Sequence, residues 1–176
     1  RSYLRTMLQA SGDDIEGAFR RVNLELARDV RRGMYVTAMY VLVDPSASRA
    51  KVLCAGHKIP ILRYVAEDKK LSLLQPEGIA LGFDKGPVFD RSLAAEEIDF
   101  NLGDRLVLAN TGPVLVQNED GEELGEKAFY KIVARYAAKD SMTVLKGVRK
   151  ELEAFAGEEP FPADISVVTL AREDSV

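Results

Sequence analysis

Arg32-Gly33-Met34-Tyr35-Val36-Thr37-Ala38-Met39-Tyr40-Val41-Leu42-Val43 is the stretch on which the fold turns. From Tyr35 onward it is β-branched and aromatic, with apolar residues at odd and even positions alike, which predicts a central strand buried on both faces. Asp44-Pro45-Ser46-Ala47-Ser48 then supplies turn chemistry, and residues 50–55 resume as a second strand, so the two make a hairpin. Further short strands are expected at 61–65, 70–74, 96–100 and 105–109, separated by Gly, Pro, Asn and Asp. The expected arrangement of this middle section is an antiparallel meander.

On either side of the strands the apolar period lengthens to that of a helix. Upstream, Tyr3, Leu4, Met7 and Leu8 share one face, Ser11-Gly12-Asp13-Asp14 breaks the run, and Ile15, Phe19, Val22 and Leu26 continue at helical spacing until Arg31-Arg32-Gly33. Downstream, Phe129, Ile132, Val133 and Tyr136 form one stripe. After Asp140-Ser141, residues Val144, Leu145, Val148, Leu152 and Phe155 form another, which Gly157 stops. A last strand at 165–170 precedes the charged Arg172-Glu173-Asp174. Helix pair, strands, helix pair, strand predicts an α+β domain with helices layered on sheet faces. No repeat or internal domain boundary is legible, so residues 1–176 are expected to form a single domain. The chain opens on Arg1 directly into a helical pattern, which is expected of a cut N-terminus.

Composition narrows the function classes. With 47% hydrophobic and 30% charged residues over 176 positions, the chain has the make-up of a folded domain and not of a disordered one. Lys and Arg total 24 against 28 Asp and Glu, and only residues 28–32 concentrate basic charge, which argues against nucleic-acid binding. The apolar run at 35–43 is far short of the roughly 20 residues of a membrane-spanning helix. A lone cysteine, Cys54, and the lack of a charged-then-apolar leader fit a reducing, cytoplasmic setting.

Taken singly, the chemistry-bearing residues have structural explanations. His57, in Ala55-Gly56-His57-Lys58-Ile59-Pro60, has no nucleophile motif beside it and reads as a loop residue bonding to local backbone. Cys54 lies in a strand and reads as a small buried side chain. Asp44 and Asp104 read as turn formers, Asp13-Asp14 as a helix cap, and Glu119 to Glu126 as a solvated acidic loop whose spacing is not that of a calcium loop. Asp164 differs in standing immediately before the last strand, where a carboxylate can point into a site.

Several segments together resemble one family. Arg32-Gly33-Met34-Tyr35-Val36-Thr37-Ala38-Met39-Tyr40 resembles the R-x-M-F-V-T-A-x-Y strand of the stage II sporulation protein E and RsbU class of metal-dependent, type 2C-like serine/threonine phosphatases. Asn23 and Leu26 resemble its asparagine-bearing helix motif, Cys54-Ala55-Gly56-His57-Lys58-Ile59-Pro60 its N-A-G-H-x-P-P segment, and Gly78-Ile79-Ala80-Leu81-Gly82 its G-x-P-L-G stretch. Leu102-Gly103-Asp104-Arg105-Leu106-Val107-Leu108 is similar to its P-G-D-x-L-L-L strand, and Asn118-Glu119-Asp120-Gly121-Glu122-Glu123-Leu124-Gly125 to its N-x-x-G-E-x-F-G loop.

The resemblance implies a layered α/β/β/α sandwich of antiparallel sheets flanked by helices, here lacking its first strands, with manganese or magnesium held by aspartates at one end. The metals would activate a water and neutralise phosphoryl oxygens. The T-D-G aspartate of that family falls at Thr111, between Asn110 and Gly112, and the aspartate before the last strand falls at Ala163, beside Asp164. Thr and Ala offer no anionic oxygen to a hard cation. The family's other aspartates fall upstream of Arg1. The expectation is therefore a vestigial site at Asn110, Thr111, Gly112, Ala163 and Asp164, with no metal or cofactor, Asp164 being the fallback ligand, and with Gly56, His57 and Asn23 as structural motif residues. In function this is a catalytically inactive regulatory domain of a larger bacterial signalling protein, holding an anti-sigma factor antagonist or its kinase. An active manganese- or magnesium-dependent phosphatase acting on the antagonist and a homodimerisation module are the alternatives.

Overall fold

The computed structural model describes residues 2–31 and 33–173. Arg1, Arg32 and Asp174, which figure in the readings above, lie outside the described residues, as does the side chain of Tyr3. In chain order the elements are α1 (Ser2–Ser11), α2 (Ile15–Asp29), β1 (Ala38–Asp44), β2 (Arg49–Ala55), β3 (Ile61–Val65), β4 (Lys70–Leu74), α3 (Pro87–Ser92), β5 (Glu96–Asp99), β6 (Arg105–Ala109), a 3-10 turn (Gly112–Leu115), α4 (Gly125–Tyr136), α5 (Ser141–Ala156) and β7 (Val167–Ala171). The chain divides into two compact units, Arg1–His57 with Gln75–Asp99, and Lys58–Leu74 with Phe100–Val176. The mixture of helices with wholly antiparallel sheets is the expected α+β class.

In the first unit Asp14 caps α2 by accepting from the Gly17 amide at 2.8 Å, which satisfies one of the free donors of the first turn. The α2 face of Ile15, Phe19 and Val22 is buried in a core with Leu53, Ala55, Leu81, Phe89 and Leu93, and the Phe19 and Tyr40 rings meet at 6.0 Å between centroids. The three-stranded sheet runs β1-β2-β5, with Val41 opposite Val52 and Ala50 opposite Ile98.

Two expectations fail here. The strand read at 35–43 begins at Ala38, with Met34, Tyr35 and Val36 exposed before it. It is neither central nor buried on both faces: β1 has β2 as its one partner among the described residues, and its side chains from Ala38 to Val43 are half-buried. The middle is also not a meander. The chain leaves β2 for β3 and β4 in the other sheet, passes through α3 and returns to β2 with β5. Helix α3 itself gives no periodic signal, being six residues long and opened by a proline.

The second unit carries the four-stranded sheet β4-β3-β6-β7, with Leu62 facing Val107, and Leu106 facing Leu170. Its core gathers Leu62, Val107, Val116, Phe129, Val133, Val144, Val148 and Leu152. Asp140 caps α5 by accepting from the Thr143 amide at 2.9 Å, and Gly157, at φ 63°, ends it in the left-handed region that a side chain resists. Gly147 lies against the Tyr136 ring, where a Cβ would stand 2.6 Å from ring carbons, so α4 and α5 cross closely there.

Candidate functional site

Strand β6 ends at Ala109, and the next residue closes the junction with the segment before β7. The Asn110 side chain donates to the Asp164 carbonyl at 2.7 Å and accepts from the Ser166 amide at 3.0 Å and the Gly112 amide at 3.2 Å. Its own backbone amide donates to the Ser166 carbonyl at 3.1 Å. All three groups that the carboxamide meets are backbone, so it works as a splint between two loops. Gly112 is buried against the Asp164 carbonyl, with which a Cβ would overlap.

The structure thus brings Asn110, Gly112 and Asp164 together across 54 positions of chain. Thr111 and Ala163 line two different concavities. Thr111, partly exposed at the start of the 3-10 turn, lines a concavity of about 320 Å³ with Lys58, Glu123 and Glu126. Ala163 and Asp164 are exposed and line a concavity of about 650 Å³ against α5, walled by Leu145, Val148, Leu152 and Phe161, with Arg149 and Glu153 paired at 2.7 Å. Residues 162–163 form a bend, so the alternation of a strand does not orient Asp164.

For a divalent cation the donor set is poor. Among the described residues no group of three or more His, Cys, Asp or Glu side chains converges, and the junction offers one carboxylate, one amide already engaged on three sides, a threonine hydroxyl and a methyl group. A hard cation is held by several oxygens, most of them anionic. The residues present do not fit a two-metal centre.

The other motif residues act within the first unit. Asn23, wholly buried on α2, accepts from the Gly82 amide at 2.8 Å and donates to the Asp84 carbonyl at 2.8 Å. Asp84 turns its carboxylate to the Gly86, Val88 and Phe89 amides at 2.9–3.0 Å, which caps α3. Those backbone bonds, from Phe89 and then Gly86, hold its acidity above that of an ordinary aspartate, its pKa lying below 3.8. Gly56, at φ 66°, donates its amide to the Gly78 carbonyl at 3.0 Å, while a Cβ on Gly78 would overlap the Cys54 carbonyl. Two sequence motifs therefore meet backbone to backbone. The His57 carbonyl receives the Gln75 side-chain amide at 2.8 Å, and Cys54, buried, has its thiol pushed up by desolvation.

Two charged residues of the second unit carry more structure than their sequence context suggests. Asp104, buried, accepts from the Asn101 amide and from the Ala66 amide, both at 2.9 Å, so it ties the β5–β6 turn to the end of β3. Arg105, 4% exposed, donates to the Ala137 carbonyl at 3.0 Å, the Lys139 carbonyl at 2.5 Å, the Ser141 hydroxyl at 2.9 Å and the Thr169 hydroxyl at 2.7 Å. Burial lowers its pKa, with Glu173 and Asp140 opposing. An arginine beginning a strand carries no signal of this role, since only the folded chain brings α4, α5 and β7 to it.

The profile of the stage II sporulation protein E (SpoIIE) family matches residues 1–173. Among solved structures the chain is similar to the SiaA-PP2C domain of Pseudomonas aeruginosa, at 18% identity and TM-score 0.78 over 98% of this chain and 67% of that one. It is similar to the RsbU and RsbW domains of Rv1364c from Mycobacterium tuberculosis, at 19% identity and TM-score 0.73 over 98% of this chain and 45% of that one. It also resembles the manganese-presoaked SpoIIE phosphatase domain of Bacillus subtilis, at 16% identity and TM-score 0.62 over 99% of this chain and 72% of that one. At these identities the likeness is one of fold. No curated protein sequence matches the chain.

Proposed function

The chain belongs to the SpoIIE family, and from that premise we propose that it is a regulatory module with a phosphatase fold that holds a protein partner in bacterial signalling without cleaving phosphate. The observation that carries this reading is the Asn110 splint: at the loop where a ligand would stand, the polar side chain is saturated by backbone, and its neighbours Thr111 and Ala163 have no carboxylate. A site with a single carboxylate, that of Asp164, is a poor trap for divalent metal, and without metal the family's water activation has no source. By analogy with the family the partner is an anti-sigma factor antagonist or its kinase, and the setting is the cytoplasmic part of a larger protein.

The deciding experiment measures hydrolysis of an aryl phosphate with manganese by the native chain and by a Thr111→Asp/Ala163→Asp variant. The expected result is no turnover above buffer for the native chain. Equal, substantial turnover in both would overturn the reading in favour of an active phosphatase that recruits other ligands. A manganese titration followed by thermal unfolding gives an independent readout: a site filled to 100 times its dissociation constant adds about 2.7 kcal/mol, and the native chain is expected to show no such shift.

A further inference from the structure

We propose that the concave surface at the C-terminal end of α2 docks an acidic segment of a partner protein. It goes beyond the reading above, since it holds whether or not the chain cleaves phosphate.

Arg28 and Arg31, which the site in the second unit leaves unused, come together here with a loop far away in sequence. Arg28, Arg31 and Lys85 line a concavity of about 490 Å³, and none of its lining residues is acidic. Among the described residues, the nearby carboxylates leave Arg31 and Lys85 as its cations without an ion pair, since one of them meets Arg28 itself and Asp29 also adjoins Arg28. Glu25 pairs with Arg28 at 2.9 Å, and Asp84 faces the start of α3. At the same mouth Phe83 and Met34 are 72% and 58% exposed, large apolar side chains left in water beside cations.

This arrangement is held in place without a ligand. Asn23 bonds the loop backbone on both sides of Phe83, at Gly82 and Asp84, and a Cβ on Gly82 would stand 3.1 Å from Val30. The loop that presents Phe83 and Lys85 is therefore seated directly on the helix end that presents Arg28 and Arg31. A backbone seated before binding loses little freedom on binding. The chain as a whole is acidic, at net −4, so a hollow that presents Arg31 and Lys85 beside apolar side chains favours an acidic partner.

The concavity also separates the candidate ligands. Polybasic clusters that hold a protein to anionic lipid contain about 4–8 Lys or Arg on an outward surface, more than this hollow displays. Two cations without an ion pair likewise make a small nucleic-acid footprint. An extended acidic peptide with one apolar side chain fits both the charges and the Phe83–Met34 mouth.

The test probes the full chain with an array of decapeptides randomised over Asp, Glu, Ser, Leu, Phe and Lys. Acidic peptides bearing Leu or Phe are expected to bind, more weakly as salt rises from about 0.05 to 0.5 M. Arg31→Glu/Lys85→Glu is expected to weaken them about tenfold or more, and Phe83→Ser by a smaller factor. Lys131→Glu/Lys146→Glu, exposed and in the other unit, makes the same change of net charge and is expected to leave them bound. Unfolding temperatures verify that the variants fold. Absence of binding, an equal loss in the Lys131/Lys146 control, or binding to phosphatidylserine vesicles with none to peptides would overturn the proposal.

Discussion

The carboxamide of Asn23 and the backbone of Asp84 are joined across 61 residues of chain, at 2.8 Å, with the asparagine fully buried. Its other half accepts from Gly82, so Asn23→Ala leaves both an orphan amide and an orphan carbonyl beside a void. Each buried unsatisfied group costs about 1–3 kcal/mol, and the expected loss is about 2–4 kcal/mol in urea unfolding. Asn23→Asp keeps the acceptor but sets an oxygen against the Asp84 carbonyl, and is expected to destabilise as well.

Asp84, Asp44 and Asp140 all have carboxyls held below the usual 3.8 by hydrogen bonds: Asp84 first by the Phe89 amide, Asp44 first by the Ser46 hydroxyl, Asp140 first by the Thr143 hydroxyl. A folded pKa below the unfolded one gives stability that is complete above the unfolded value and is lost as pH falls through the folded value. Acid destabilisation is thus expected to set in below about pH 4. Asp84→Asn is expected to flatten that part of the curve, read as unfolding temperature against pH.

Arg105 is the cross-brace of the second unit, with four donors directed at α4, the α4–α5 turn, α5 and β7. Hydrogen bonds to a charged group contribute about 1.5–3 kcal/mol each when deleted singly, but they share one side chain and do not sum. Arg105→Ala leaves buried neutral acceptors unsatisfied and a cavity, and is expected to cost about 2–5 kcal/mol. Arg105→Lys, which keeps the charge but loses the planar fork, is expected to fall between the two.

Gly112 lies where any side chain would meet the Asp164 carbonyl. Gly112→Ala is expected to push the two loops apart, and amide exchange at Gly112 and Ser166, both bonded to Asn110, should speed up markedly while the β3–β6 ladder remains protected. Unchanged exchange would show that the junction tolerates the methyl group.

Much of the fold can be read along the chain because its signals are local. Strands β3, β4 and β6 begin and end where punctuation sets them, and α5 runs from its Asp140 cap to Gly157. The stretch at 35–43 misleads because apolar side chains on both faces say nothing about neighbours. Half-burial and a single pairing partner for β1 are properties of what else is present. Helix α3 is set by Asp84, whose carboxylate does its capping from outside the helix, and Arg105 by four acceptors at sequence distances of 32 to 64. At the candidate site, the resemblance places Thr111 and Ala163, but the embrace of Asp164 by Asn110 depends on two loops meeting, which no spacing announces.

The crossing of Gly56 and Gly78 bears on how this family is interrogated. Neither position has room for a methyl group, with Ala80 packed on one and the Cys54 carbonyl on the other. Both are thus closed to drift on steric grounds alone. A saturation scan would flag them as intolerant, next to a histidine whose side chain invites a catalytic interpretation. Next to His57, two stretches of main chain touch, and intolerance at Gly56 and Gly78 would report assembly of the scaffold.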